Sequence, residues 1–171
     1  MKSTSICLYI FSLAFISVTF FAQNRMQSVR ELINEADPAW PLVKKWIASA
    51  KNKVEILPVD SAKAKNALYD AQVSTYSTLG SVIYNTGGIM VDNGWIRILG
   101  SGSERLNRSV PEWNKGKTLK EFGDQPNYLL VADDAVGGFF AINYGEFGSD
   151  LKNVYYLAPN SLNWESLGAG Y

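Results

Sequence analysis

Apolar residues recur at helical spacing in the part of the chain that follows Arg25 and at strand spacing beyond it, so the chain passes from helices to sheet. Ser28-Val29-Arg30-Glu31 fits a capping box ahead of Leu32 and Ile33, which predicts a short helix. Asp37-Pro38 repeats the start signal, as an N-cap followed by proline at the first helical position. Trp40, Val43, Trp46, Ile47 and Ala50 then recur on one face, while Lys44, Lys45 and Ser49 take the wet one. Pro41 falls within the first turn, where a missing amide costs little. A third helix is predicted from Asp60 or Ser61, with Ala64, Leu68 and Ala71 along one side.

Past this point the pattern shifts to period 2 and to short apolar runs separated by glycines, the mark of a sheet. Ile89 to Val91, Asp92-Asn93-Gly94 and Trp95 to Leu99 read as a hairpin, because Asn-Gly tolerates the positive φ of a type I′ turn. Tyr128 to Ala132 and Gly138 to Asn143 make a second strand pair, with its turn at residues 133–137. Asn153 to Leu157 makes a further strand, closed by Ala158-Pro159-Asn160. The intervening stretch, Gly100 to Gln125, is polar and glycine-bearing, with a second capping box at Ser109-Val110-Pro111-Glu112. The expected fold class is α+β, with N-terminal helices packed on a mainly antiparallel sheet built from hairpins, as a single domain over residues 27–171.

The N-terminus is a separate element. An uncharged apolar run from Ile6 to Phe21 follows Lys2 and ends at Ala22, the layout of a secretory signal peptide cut after residue 22. An uncleaved membrane anchor over residues 6–22 is the alternative, since the run is near the shortest length that spans a bilayer. Either reading puts the domain outside the cytoplasm, periplasmic or extracellular, with membrane contact only through that segment. Sixteen basic residues balance sixteen acidic ones, which leaves no cationic footprint for nucleic acid. Cys7 is the only cysteine and lies inside the apolar run, so no disulfide forms within the domain and packing must hold it.

The chain has no histidine. Without imidazole or a thiol beyond the leader, Ser-His-Asp triads, cysteine nucleophiles and the usual zinc sites are excluded, and no cofactor or metal is expected. Ser149-Asp150-Leu151-Lys152 has Ser-x-x-Lys spacing but sits in a glycine-flanked loop without companion motifs. Asp133 and Asp134 are either turn caps or carboxylates for a cation or glycan, with Glu146 and Asp150 as candidate companions at one end of the sheet. Arg97 and Arg105 flank Gly100-Ser101-Gly102-Ser103, a loop that either cradles an anion or simply bends. Trp95, Trp113, Tyr144, Tyr155, Tyr156 and Trp164 are the aromatics for a recognition platform, although one of the adjacent tyrosines must face the core. The candidate binding residues are therefore Trp95, Arg97, Trp113, Asp133, Asp134 and Tyr144.

Four segments carry a family resemblance: Asp37-Pro38-Ala39-Trp40-Pro41-Leu42-Val43; Thr86-Gly87-Gly88; Asp92-Asn93-Gly94-Trp95-Ile96-Arg97-Ile98-Leu99-Gly100-Ser101-Gly102; and Val131-Ala132-Asp133-Asp134-Ala135-Val136-Gly137-Gly138-Phe139-Phe140-Ala141. The chain resembles the bacterial domain of unknown function 2625 from about Gln27 to Tyr171. Its latter half, with Val154-Tyr155-Tyr156 and Trp164-Glu165, is also similar, more distantly, to the SUKH superfamily of bacterial immunity proteins and cell-wall regulators. The SUKH likeness implies an α+β domain that binds a protein partner through a surface, and it supplies no catalytic residue. The expected function is non-catalytic protein binding. The alternatives are a cell-wall glycan or small-ligand binder and a carboxylate-dependent hydrolase.

Overall fold

The computed structural model describes residues 25–171, and the leader or anchor read at residues 1–22 lies outside them. Helix α1 (Val29–Leu32) opens with the expected capping box: the Ser28 amide and hydroxyl donate to the Glu31 carboxylate at 2.7 and 2.8 Å. Helix α2 (Trp40–Ser49) begins later than the Asp37-Pro38 signal, with Ala39 at the N-cap. Tertiary contacts decide this. Asn34 Oδ1 accepts the Asp37 amide at 2.9 Å, and the Thr75 carbonyl accepts the Ala39 amide at 2.9 Å, so the chain is held in a loop through the predicted start. Helix α3 (Ser61–Ala71) is capped by Asp60, which accepts the amides of Ala62 and Lys63 at 2.8 and 3.0 Å. Ala64 and Leu68 are buried on its expected face.

Two elements follow from packing more than from periodicity. Strand β1 (Val54–Leu57) lies between α2 and α3, and helix α4 (Thr78–Asn85) comes next. The Ser77 hydroxyl caps α4 by accepting the Gly80 amide at 3.0 Å. A Cβ at Gly80 would run into the Ser74 carbonyl, so only glycine lets α4 lie this close to the preceding loop.

The remaining strands are β2 (Gly88–Val91), β3 (Ile96–Leu99), β4 (Tyr128–Asp134), β5 (Phe139–Asn143), β6 (Asn153–Leu157) and β7 (Trp164–Gly170). All seven form one open antiparallel sheet in strict chain order, β1 to β7. The architecture is α+β, with helices packed against that sheet. The first hairpin is present, but Val91 pairs with Ile96, leaving a four-residue connection in place of a two-residue type I′ turn. Asp92 and Asn93 both take positive φ (47° and 59°). The Asp92 carboxylate accepts the Lys53 amide at 3.0 Å and the Asn52 amide group at 2.6 Å, which fixes the turn against the entry to β1.

Short helix α5 (Val110–Asn114) opens with the predicted Ser109–Glu112 capping box. Its last residue, Asn114, is wholly buried and stands where a neighbouring strand would. The side chain accepts the Leu130 amide and donates to the Leu130 carbonyl, both at 2.8 Å. This pairing falls beside a bulge in β4 between Leu130 and Ala132, beyond the register of β3, which spans Ala132 to Asp134. One side chain thus satisfies two strand groups that would otherwise be buried unpaired.

The main core joins Leu32, Leu68, Leu79 and Ile83 of the helices to Leu57, Leu99 and Val131 of the sheet. Each fully buried leucine contributes about 1.5–3 kcal/mol. A second cluster packs Val43 of α2 and Val82 of α4 on Ile89, with Ile47, Val54 and Ile98 at its margin. The expected membrane contact requires correction. Among the described residues no helix is long and apolar enough to cross a bilayer, the longest being the 11 residues of α3 against the ~20 required.

Candidate functional site

Strand alternation decides what the paired aspartates can do. Asp133 and Asp134 end β4 instead of forming its turn, which lies at residues 135–137, and adjacent strand residues project to opposite faces. Asp133 stands in register with Arg97 of β3 and Phe139 of β5. Arg97 Nε donates to Asp133 Oδ1 at 2.8 Å, and its other arm reaches the Asp134 carbonyl at 2.6 Å. Arg108, from the loop before α5, donates to Asp133 Oδ2. The Arg108 guanidinium lies 4.3 Å from the Trp113 ring centre, with Lys117 Nζ at 4.5 Å. Arg97, Arg108, Trp113 and Asp133 therefore form one connected network, in which both carboxylate oxygens of the buried aspartate are taken by guanidinium groups while Arg108 Nε and Trp113 Nε1 are buried without a partner. Arg108 was not among the sequence candidates.

Asp134 serves the opposite face. Its Oδ1 accepts the amides of Val136 and Gly138 at 2.9 and 2.8 Å, and its Oδ2 accepts the Tyr156 hydroxyl at 2.7 Å. The Tyr156 side chain crosses β5 to reach it. Gly138 makes that possible, since a Cβ there would strike the tyrosine ring and lie 2.6 Å from Asp134 Oδ2. Burial pushes the Asp134 carboxyl up, but the hydrogen bonds from Tyr156 and the turn amides together outweigh it and hold the group below the ordinary carboxylate range. Tyr156 is raised in turn, first by donating to Asp134. A depressed aspartate contributes stability that is full above its unfolded value near pH ~4 and lost as pH falls through its folded value. A raised tyrosine contributes stability that is full below its unfolded value near pH ~10 and lost as pH rises through its folded value. The urea midpoint of the wild type should accordingly decline at both extremes, and the difference between wild type and Tyr156→Phe should shrink below about pH 4 and above about pH 10. A difference that is constant with pH would show that the pair contributes nothing through ionisation.

The other candidates separate. Trp95 is 55% exposed on the β2–β3 connection, beside the equally exposed Val136, and its carbonyl accepts the Ala135 amide at 2.9 Å. Tyr144 is exposed at the far end of the sheet, where Asn143 pairs with the start of β4. The Glu146 and Asp150 loop lies at that same far end, so it does not join Asp133 and Asp134. Asp150 there accepts the Tyr155 hydroxyl at 2.6 Å. Ser149 and Lys152 share no helical face, since Lys152 takes φ 70° in the loop. The amides of Ser101, Gly102 and Ser103 donate to the carbonyls of Thr86, Gly87 and Leu106, and Arg105 pairs with Glu55, so these groups are taken by the protein itself and the loop follows the alternative of a simple bend. Tyr155 is buried, and Trp164 stacks on Phe147 at 4.7 Å, away from Trp113. The aromatics do not make one platform. Among the described residues no three acidic, cysteine or histidine side chains gather to hold a metal.

Two of the concavities on the described residues are lined by neither Asp133 nor Asp134, although Tyr144 borders the second. The first is a groove of 240 Å³ between α2 and the sheet, floored by Val43, Ile47, Val82, Ile89 and Ile98 and walled by Trp46, Val54 and Tyr171. Strand pairing puts Val54, Ile56, Ile89, Val91 and Ile98 on this same face. The second is a cleft of 670 Å³ among residues 25–27, the end of α3 and the 119–127 loop, with Gln72, Asn127 and Tyr144 at its border. Trp46 is half exposed, and its period with Trp40 and Val43 reads as a core position in the sequence.

Two relatives place the chain. An uncharacterized protein of Haemophilus influenzae is 42% identical over 146 residues, which are 85% of this chain and 64% of the relative. The putative uncharacterized protein YbfG of Escherichia coli is 44% identical over 146 residues, which are 85% of this chain and 66% of the relative. The chain thus spans just under two-thirds of the length of these relatives. No solved structure matches it. The family model described as protein of unknown function DUF2625 matches residues 29–171, and the chain belongs to that family.

Proposed function

We propose that this chain is an exported, non-catalytic domain of SUKH-like architecture that binds a protein partner through its apolar groove. The groove carries the reading. A concave surface lined almost wholly by aliphatic and aromatic side chains, with a half-exposed tryptophan on its wall, is costly to leave in water and suits the buried centre of an interface. The state of the carboxylates supports the same reading: Asp133 and Asp134 face opposite sides, each saturated by internal partners, whereas glycoside hydrolysis needs two acids flanking one bond. The test is Trp46→Glu. Immobilised wild-type chain should retain a partner from envelope extract that the variant loses by at least ~10-fold, with the thermal midpoint unchanged. Equal retention by both would remove the groove from the interface.

A second reading, a glycan or small-ligand binder, is favoured by the 670 Å³ cleft, whose mixed polar and apolar border has the character of a ligand pocket. Titration with cell-wall saccharide fragments should then show saturable binding that weakens about 10-fold in Tyr144→Ala, through loss of ring contact. Absence of saturable binding would end this reading.

A further inference from the structure

The 670 Å³ cleft has a built wall. Gln72 follows α3 in the left-handed region (φ 50°), and its carboxamide accepts the Gln27 amide at 2.7 Å and donates to the Gln27 carbonyl at 3.1 Å, the reciprocal pairing that one amide offers another. Met26 packs on Gly123, where a Cβ would come within 2.8 Å of the methionine methyl. Residues 25–27 are thereby held both to the end of α3 and to the 119–127 loop. At the sheet, the Asn127 carbonyl accepts the amides of Tyr144 and Glu146 at 2.8 and 3.1 Å, which sets Tyr144 at the border.

The lining has a definite chemistry. Its two charged residues, Arg25 and Asp124, are of opposite sign and already engaged: Arg25 pairs with Glu31 at 2.6 Å, and Asp124 accepts the amides of Lys120 and Glu121 at 3.1 and 2.8 Å. The other polar side chains are carboxamides and the Tyr144 phenol. Gln125 and Asn127 are exposed. Among the described residues the Gln125 side chain makes no hydrogen bond, and that of Asn127 makes a single long one, at 3.4 Å to Glu146. The rest of the lining is mainly apolar, with Val73 and the buried Leu119 and Leu129 among it.

We propose that the cleft binds an uncharged oligomer of N-acetylated amino sugars, with acetamido and hydroxyl groups on the Gln125 and Asn127 carboxamides and acetyl methyls and ring faces on the apolar residues and Tyr144. The proposal rests on the second reading above, the cleft as a ligand site, and adds the class of ligand. A carboxamide both donates and accepts, so it pairs with acetamido and hydroxyl groups in either sense. A carboxylate or phosphate on the ligand would leave water for a cleft with no uncommitted cation, which opposes acidic glycans. A plain glucan offers hydroxyls alone and has no methyl group for the apolar lining.

Isothermal titration of the purified protein with tri-N-acetylchitotriose should show saturable binding that changes less than ~2-fold between about 0.1 and about 0.5 M salt, since no ion pair forms. Cellotriose, which lacks the acetamido groups, should bind at least ~10-fold more weakly. Gln125→Leu and Asn127→Leu should each weaken binding of the acetylated trimer by about 3- to 10-fold, with the thermal midpoint unchanged. Equal affinity for cellotriose, binding that fades with salt, or unchanged affinity in both variants would overturn the proposal. Saturable binding of an anionic muramyl peptide that is lost in Tyr144→Ala, with none of the acetylated trimer, refutes the uncharged ligand and leaves the cleft a ligand site. If no saccharide of either kind binds, the proposal and the reading beneath it fail together.

Discussion

Asn114→Ala should destabilise the domain by about 3–5 kcal/mol, the largest effect expected of any single polar substitution here. The side chain makes four hydrogen bonds in a fully buried position: it accepts from the Leu130 amide and the Thr118 hydroxyl and donates to the carbonyls of Leu130 and Val110. Alanine leaves both Leu130 groups buried without partners, at about 1–3 kcal/mol each, and adds a small cavity. Urea denaturation measures the loss. Hydrogen exchange gives it an address, since the Leu130 amide should lose its protection while amides on β6 keep theirs. Uniform loss across the sheet would show that Asn114 acts through global packing and not as a stand-in for a strand.

Asp133→Ala should cost about 2–3 kcal/mol. Removing one partner of a buried ion pair leaves the other charge uncompensated, which costs about 3–5 kcal/mol when burial is complete. The side chains of Arg97 and Arg108 are 32% and 23% exposed, so water recovers part of that loss. In a background already carrying Arg97→Ala and Arg108→Ala, the same substitution should cost less than about 1 kcal/mol, because no stranded charge remains. Partner capture should persist in Asp133→Ala at temperatures where the variant is folded. If it fails there, Asp133 belongs to the interface and not to the scaffold.

The fold was legible where local chemistry and tertiary packing agree. The capping boxes at Ser28 and Ser109, the cap at Asp60 and the strands from Tyr128 to Leu157 form at or close to where their residues direct. Disagreement hid the rest. Helix α4 contains Gly80 and the β-branched Thr78, Val82 and Ile83, weak helix formers whose conformation is secured by the Ser77 cap and by close packing on residues 74–75. Strand β1 has four residues, too few for alternation to register, and β7 is glycine-bearing and mostly exposed. Asp37-Pro38 carries a sound start signal that Asn34 and Thr75 override.

The site was legible in part. Arg97 and Asp133 were singled out separately, and antiparallel register brings them together. Arg108 was missed because loop sequence gives no bearing on where a side chain arrives. One signal was available: Asp133 continues the apolar run Tyr128 to Ala132, and a carboxylate at the end of a buried strand must be met by a cation or by hydrogen-bond donors. Trp46 was assigned to the core because periodicity identifies a helix's apolar side without telling how much of that side the sheet covers.

The sequential order of the sheet bears on how the protein comes to be folded. Because every strand pairs with its immediate predecessor, each can be added to a template already in place, with no wait for chain synthesised much later. The β2–β3, β4–β5, β5–β6 and β6–β7 connections are short, so the entropy lost in closing them is small, whereas β1–β2 and β3–β4 close longer loops that carry helices. The hazard of such growth is timing, since the newest strand always presents open backbone until the next arrives, and slow synthesis would prolong the interval in which nascent chains can adhere to one another.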